Sequence, residues 1–316
     1  MANSRVLVAG VPVLAALSLC GILIAAEGTP APAKSATPAT GAAKKAAPPV
    51  KLNVSYNIPL WTEGTVPLAK GNGPLDNPFL TVFEPPPGKR NGGSVVVAPG
   101  GSNIMLMYGA EGIDIAEQYN EWGVTAFVLT YRMSPTYGTD ARSLDGKRAV
   151  QVVRSRAAEM KLDPDKIGFI GFSAGGGLMR PFMATAGPGD PNATDPIARL
   201  NSKPSYLAFV YGAAGRAPQG ESLKDYPPTF MVASQDDSGQ SLPAAQFFID
   251  LTKAHAVAEL HLYERGHHGF GSGFGAPEFE DWMPRLEHFL KMTGFLPTDR
   301  PGAAPVLTSK ASEAKQ

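Results

Sequence analysis

The feature that most constrains this chain is a serine between two glycines, placed directly after an apolar segment. The apolar residues 167–172 have β-strand character, and a helix-compatible run, 178–185, follows soon after Ser173. The pentapeptide Gly171-Phe172-Ser173-Ala174-Gly175 therefore has the G-x-S-x-G spacing of a nucleophile elbow, a sharp strand-to-helix turn that displays the serine hydroxyl. Glycines suit such a turn because the backbone and the helix approach too closely for a Cβ. The same pentapeptide also fits an ordinary glycine-rich turn.

Strand-like and helix-like segments alternate along the rest of the chain. Apolar runs predict strands at 80–83, 94–98, 126–131, 167–172, 206–211, 229–233 and 258–263. One intervening helix places Ile115, Tyr119 and Trp122 on one face, and a second begins with Ser143 as its cap. The basic residues of that second helix are assigned to its solvated face: Lys147, Arg148, Arg154 and Arg156. The alternation predicts an α/β fold with a doubly wound, mostly parallel sheet, whose ligands bind at the carboxyl ends of the strands.

The charge balance and the cysteine count exclude several classes of function. Of 316 residues, 28 are Lys or Arg and 28 are Asp or Glu, so the formal net charge is zero and nothing indicates a nucleic-acid partner. The single cysteine, Cys20, lies near the N-terminus. The folded domain is therefore expected to contain neither a disulfide nor a thiol nucleophile.

Both ends of the chain differ in composition from the middle. Residues 1–26 have the basic start, apolar run and small final residues of an export signal, and 27–49 and 298–316 are low-complexity segments expected to be disordered. The α/β domain is then 50–297. Cleavage near Ala26, retention as a membrane anchor and lipidation of Cys20 all remain open. Each predicts an exported, periplasmic or extracellular domain, with the N-terminal segment as its only contact with a membrane.

Acidic and histidine candidates follow two of the later predicted strands. Asp236-Asp237 comes after strand 229–233, and His267-His268 comes after strand 258–263 within a glycine-bounded loop. The order serine, acid, histidine is that of α/β-hydrolases. In such a set the imidazole accepts the serine proton and the carboxylate fixes the imidazole tautomer. Ser173 and His268 are the predicted nucleophile and base, and either aspartate could be the acid.

Backbone amides near the serine could stabilise an oxyanion. The amide of Ala174 follows the nucleophile, and an amide of Gly101 or Ser102 lies in the glycine loop after strand 94–98. A metal site built from the histidine and aspartate pairs is the competing interpretation. The sequence lacks the His-x-x-x-His or cysteine spacing that would favour it, so neither a metal nor a cofactor is predicted.

Several longer motifs resemble a known family. These are SVVVAPGG, EGIDIAEQYNEWGVTAFVLTYR, RAVQVVRSRAAEMKLDPDKIGFIGFSAGG, PPTFMVASQDD and ELHLYERGHHGFG. Together they resemble bacterial α/β-hydrolases of the acetyl-xylan esterase or xylanase-associated esterase type, related to dienelactone hydrolase and prolyl oligopeptidase, over about 58–295. The resemblance implies that Ser173 is the nucleophile, Asp237 the acid and His268 the base, with Gly101, Ser102 and Ala174 near the oxyanion. The resemblance favours Asp237 over Asp236, because in such relatives the second acidic residue of the pair aligns with the catalytic acid.

Two departures from this family concern the substrate. Relatives usually have Gly-Gly-Gly-Tyr in the glycine loop and Gly-Gly-His-Gly in the histidine loop, whereas this chain has Gly100-Gly101-Ser102-Asn103 and Gly266-His267-His268-Gly269. The first loop continues with four apolar residues, 104–107. If those side chains close over an acyl pocket, they favour acyl groups of two to four carbons.

The expected function is an exported serine carboxylesterase. Its expected substrate is a small ester or an acylated carbohydrate, from which it removes short, acetyl-like groups. Two alternatives remain, a peptidase of the prolyl oligopeptidase type and a non-catalytic carbohydrate- or partner-binding relative.

Overall fold

The computed structural model describes residues 54–213, 223–273, 279 and 281–298. The chain divides into two units, 1–50 and 51–316, and all the described residues belong to the second. The export segment and the spacer lie outside the described residues, as does the tail beyond residue 298, so these assignments stay predictions. No helix within the described ranges is long and apolar enough to cross a membrane.

Eight strands and five α-helices alternate along the described chain. They are β1 (Val54–Pro59), β2 (Phe79–Phe83), β3 (Ser94–Ala98), α1 (Asp114–Glu121), β4 (Thr125–Thr130), α2 (Thr139–Ser155), β5 (Ile167–Phe172), α3 (Ala174–Met183), β6 (Tyr206–Val210), β7 (Thr229–Ser234), α4 (Ser238–Lys253), β8 (Ala258–Tyr263) and α5 (Trp282–Met292). A π-helical turn, Gly109–Ile113, precedes α1, and a 3-10 turn, Pro196–Arg199, precedes β6.

The strands form one sheet in the order β1-β2-β4-β3-β5-β6-β7-β8. Strands β3 to β8 run parallel; at one edge β2 pairs antiparallel with β4, and β1 pairs antiparallel with β2. The prediction of a doubly wound, mostly parallel α/β sheet is confirmed. Parallel neighbours bring the carboxyl ends of β5, β6, β7 and β8 to one edge, where the predicted site residues follow.

Helices cover both faces of this sheet. One core cluster includes Ala149 of α2, Leu178 of α3 and Phe247 of α4, and the other includes Ile115 of α1 and Leu286 of α5. Every residue of β3, β5, β6 and β7 is buried. This two-sided burial explains why these strands are continuous apolar runs rather than alternating ones.

Two details of the helix predictions are wrong. Helix α2 begins at Thr139 after Gly138, so Ser143 lies inside the helix and does not cap it. Arg148 does not face solvent: it is buried, its Nε donates to the Leu60 carbonyl at 2.7 Å, and its guanidinium pairs with Asp195 at 2.5 Å. Arg148 lies on the outer side of α2, and it is buried because two segments pack over that side. These are the chain that follows β1 and the 3-10 turn.

A buried ion pair fixes the start of α2 to the end of β4. Arg132 follows β4, and its guanidinium meets the carboxylate of Asp145 at 2.7 Å with both side chains fully buried. The backbone N–H of Arg132 also donates to Asp145 at 2.9 Å. Since each charge is removed from water, each depends on the other for compensation.

Replacing Asp145 with alanine is expected to lower the free energy of unfolding by about 3–5 kcal/mol, because the Arg132 charge is left buried without its partner. Urea unfolding followed by circular dichroism measures this loss. Asp140→Ala, an exposed carboxylate one turn earlier on α2, is the matched control and is expected to cost less than about 1 kcal/mol. Equal effects of the two changes would contradict the role given to the buried pair.

Candidate active site

Ser173 occupies a sharp turn between β5 and α3. Its backbone lies at φ 47° and ψ −115°, an uncommon conformation for a residue with a Cβ. A Cβ on Gly171 would come within 2.5 Å of the Gly175 carbonyl oxygen, and one on Gly175 within 2.0 Å of the Ala98 carbonyl oxygen. Both glycines are therefore required by close backbone approach, and the turn has the geometry of a nucleophile elbow.

Three side chains form a hydrogen-bonded chain at this turn. The Oγ of Ser173 lies 2.6 Å from Nε2 of His268, and Nδ1 of His268 lies 2.6 Å from Oδ2 of Asp237. With the proton on Nδ1, the imidazole donates to Asp237 and leaves Nε2 to accept from the serine hydroxyl. The structure thus brings the predicted nucleophile, base and acid together, although they follow three different strands.

The neighbouring pair, Asp236 and His267, is arranged differently. The Asp236 carboxylate accepts the backbone N–H groups of Gly266 and His267 at 3.1 and 2.8 Å. The His267 side chain is 88% exposed and contacts Asp236 rather than the serine. Ser234 at the end of β7 donates to the His267 carbonyl at 2.6 Å. Asp236 and Ser234 therefore anchor the histidine loop, and Asp237 alone of the acid pair reaches the imidazole of His268.

The glycine loop after β3 lies against the nucleophile. A Cβ on Gly100 would come within 2.8 Å of the Ser173 Cβ, so this position has no room for a side chain. Gly101, Ser102 and Asn103 all have positive φ, and the loop turns back so that the N–H groups of Ile104 and Met105 donate to the Gly101 carbonyl. The Gly100 N–H already donates to Glu111. The amides of Gly101 and Ser102, together with Ala174 at the start of α3, remain the predicted oxyanion donors.

The apolar residues after this loop do not close over the serine as a group. Ile104, Met105 and Met107 are 66%, 55% and 45% exposed, and only Leu106 packs against the core. They form an open apolar rim, here called the Met rim and comprising Ile104, Met105 and Met107. The narrowing expected from all four side chains is therefore absent, because three of them face solvent.

Sequence reasoning missed two residues of this region, Glu111 and Tyr211. Glu111 is buried in the π-helical turn, and Tyr211 directly follows β6. The Tyr211 hydroxyl donates to Glu111 at 2.7 Å, and its ring lies 5.0 Å from the imidazole of His268. The pKa of Glu111 is raised because burial disfavours its charged form. In the sequence, Glu111 resembles an ordinary acidic residue at the start of a helix, so no local pattern distinguishes it.

A separate cleft of about 710 Å³ opens elsewhere on the domain. Its lining includes Trp61, Arg148, Gln151 and Asp195, and none of the hydrogen-bonded residues at the serine. The polar lining side chains already bond within the protein, as Arg148 does with Asp195. Among the described residues no group of three or more His, Cys, Asp or Glu side chains could hold a metal ion.

Comparison with known proteins gives one family match and a curated relative. The BD-FAE family model matches residues 80–189, which include the glycine loop, Glu111 and Ser173. An acetylxylan esterase of Xylanibacter ruminicola is 25% identical over 231 residues, which is 65% of this chain and 46% of the relative. The chain thus spans about half the length of that relative.

Many solved structures have similar folds, and two of them are compared with this chain. The acetyl ester-xyloside bifunctional hydrolase from Caldicellulosiruptor lactoaceticus is 26% identical, with a TM-score of 0.69 over 78% of this chain and 99% of that one. Esterase 2 of Thermogutta terrifontis is 20% identical, with a TM-score of 0.63 over 79% of this chain and 96% of that one, and supports the fold alone. The sheet order and the serine turn are those of the α/β-hydrolase fold, and in sequence the chain is similar to an acetylxylan esterase and to an acetyl ester-xyloside hydrolase.

Proposed function

We propose that this protein is a serine carboxylesterase that removes short acyl groups, with Ser173 as nucleophile, His268 as general base and Asp237 as the acid. The observation that carries the proposal is the unbroken hydrogen-bonded chain between these three side chains, with both contacts at 2.6 Å. A binding protein has no need of a serine hydroxyl aligned on an imidazole that is itself aligned on a carboxylate. This geometry favours the enzyme over the non-catalytic relative.

The chemistry follows from the position of each group. His268 takes the proton from Ser173 as the oxygen attacks the ester carbonyl, and Asp237 stabilises the imidazolium that forms. The tetrahedral oxyanion is held by N–H groups of the glycine loop and by Ala174 at the start of α3. His268 then returns the proton to the departing alcohol, and water repeats the sequence to release the acid and free Ser173.

The substrate class rests on the relatives rather than on a pocket. The acetylxylan esterase and the acetyl ester-xyloside hydrolase both act on acetyl esters by name, and acetyl removal from a polysaccharide or a soluble ester is proposed here on that basis. Export of the domain is part of the same proposal, because a secreted enzyme can reach a polysaccharide. A peptidase of the prolyl oligopeptidase type has no comparable support.

For p-nitrophenyl esters of increasing acyl length, we expect kcat/KM to be greatest at two to four carbons, because both named relatives act on acetyl esters, and to be at least about tenfold lower at eight carbons. Acetate release from acetylated xylan, compared with release from a soluble acetyl ester, tests the polysaccharide part of the proposal. Both assays use the purified full-length chain.

A maximum at eight carbons or beyond would contradict the short-acyl proposal and assign the Met rim to acyl binding. Replacing Ile104 and Met105 with serine separates the two cases. If the Met rim binds long chains, the replacement lowers kcat/KM for octanoate far more than for acetate, because each buried methylene contributes about 0.8 kcal/mol. If the Met rim takes no part in acyl binding, the replacement changes kcat/KM for octanoate and for acetate equally.

A further inference from the structure

A buried carboxylate lies behind the glycine loop, and its two oxygens bond to different parts of the site. Glu111 is 4% exposed. Its Oε2 accepts the backbone N–H of Gly100 at 2.7 Å, and its Oε1 accepts the hydroxyl of Tyr211 at 2.7 Å. The Tyr211 oxygen in turn accepts the N–H of Gly271 at 2.9 Å. One carboxylate thus connects the loop after β3, the end of β6 and the segment that follows the histidine.

These contacts adjoin the reacting groups on two sides. A Cβ placed on Gly100 would lie 2.8 Å from Glu111 Oε2 and 2.8 Å from the Ser173 Cβ, so Gly100 is held directly between the two residues. The Gly101 and Ser102 amides follow in the chain. On the other side, the Tyr211 ring lies 5.0 Å from the imidazole of His268 and 4.5 Å from the Phe270 ring. Movement of Glu111 would therefore disturb both the glycine loop and the histidine loop.

The carboxylate of Glu111 is also unusual because it is buried without a lysine or arginine beside it among the described residues. Within the described ranges no lysine or arginine forms an ion pair with it, and the titratable groups that face it are Tyr211, Tyr131 and His268. Burial raises its pKa, while the bonds from Tyr211 and Gly100 and the proximity of His268 oppose this rise. Among the residues that the structure describes, the imidazole of His268 is the group facing Glu111 that can carry a positive charge. That charge appears when the imidazole takes the proton of Ser173.

We propose that Glu111 is a positioning residue for this esterase site: its carboxylate holds the glycine loop and, through Tyr211, the histidine loop in place about Ser173, and it favours the imidazolium of His268. The inference rests on the proposed function and assigns the site a second carboxylate. Asp237 contacts the imidazole directly. Glu111 acts through Gly100 and Tyr211 and through its charge.

Glu111→Gln tests the charge while keeping the shape of the side chain. We expect kcat for p-nitrophenyl acetate to fall about 10- to 100-fold, the size associated with losing one charge-assisted hydrogen bond, with KM within about threefold of wild type. A loss in kcat without a comparable change in KM indicates that an interaction made in the transition state has been removed.

Asp114→Asn is the matched control, because it removes a carboxylate from the next turn of the same helical segment, and kcat should not change. Tyr211→Phe keeps Glu111 but removes the link to Gly271, and it should lower kcat about tenfold. Thermal unfolding of every variant checks the fold. A merely structural role for Glu111 would lower the melting temperature and leave kcat of the folded enzyme near the wild-type value.

The outcomes separate this inference from the function on which it rests. If the wild type is active and Glu111→Gln has the same kcat, the role of Glu111 alone is overturned. If Glu111→Gln does not fold, Tyr211→Phe decides: a tenfold loss supports the inference, and wild-type kcat overturns it. A wild type that hydrolyses no ester overturns both the proposed function and the inference.

Discussion

Replacing Ser173 with alanine is expected to lower kcat for ester hydrolysis by on the order of 10⁶-fold, the scale at which removal of a serine nucleophile acts in such sites. The serine oxygen is the only atom lost, and it lies 2.6 Å from His268 Nε2. The fold should persist, because the Ser173 side chain makes no capping bond to α3 and alanine tolerates the same backbone angles about as well. Hydrolysis of p-nitrophenyl acetate, together with covalent labelling by a fluorophosphonate probe, measures the loss.

Ser238→Ala provides the control for this change. Ser238 is exposed at the start of α4, next to Asp237 in sequence, and its replacement should leave both hydrolysis and labelling intact. If the Ser173 variant retained wild-type kcat, or if the probe labelled another residue, the assignment of the nucleophile would be wrong.

The second large loss of activity is expected when Asp237 is replaced. Asp237→Asn should lower kcat by ~10⁴-fold, because an amide in place of the carboxylate lets the imidazole adopt the wrong tautomer and no longer stabilises the imidazolium. The contact concerned is the 2.6 Å bond between Asp237 Oδ2 and His268 Nδ1. Steady-state kinetics with p-nitrophenyl acetate are sufficient to measure a loss of this size.

Asp236→Asn is a closely matched control, because it is the adjacent residue and carries the same substitution. Its carboxylate accepts two backbone N–H groups of the histidine loop, and an asparagine retains one acceptor oxygen. We expect a loss of about tenfold or less. If Asp236→Asn were the more damaging change, the catalytic acid would be one residue upstream of the proposed position.

The candidate site could be predicted from the sequence because its three main residues follow strands. Ser173, Asp237 and His268 each come soon after an apolar run, and parallel strands end at one edge of the sheet, so strand order alone brings them near one another. Choosing Asp237 over Asp236 needed the family resemblance. The structure shows why it matters: consecutive side chains in this turn point to different partners, one to the imidazole and one to the loop backbone.

Other features could not be predicted because they depend on contacts between distant segments. Glu111 bonds to Gly100, 11 residues away, and to Tyr211, 100 residues away, and neither spacing forms a motif. Arg148 was assigned to solvent because helical periodicity places it beside other basic residues, yet its partners lie on the chain after β1 and in the 3-10 turn. The exposure of the Met rim was missed for the same reason, since apolar character alone does not say whether a loop closes.

The order of the strands has a consequence for how the site would lose activity on heating. Ser173 follows β5 and His268 follows β8, three strands away at the edge of the sheet, so the histidine loop must extend across roughly 14 Å toward the serine. Among the described strands β8 pairs with β7 alone, and the loop is held by a few side-chain contacts from Ser234, Asp236 and Tyr211. Ser173, by contrast, follows β5, which is fully buried and pairs with both β3 and β6. Local opening at the sheet edge would separate base from nucleophile while the core stays folded, which makes inactivation a sub-global event that precedes cooperative unfolding.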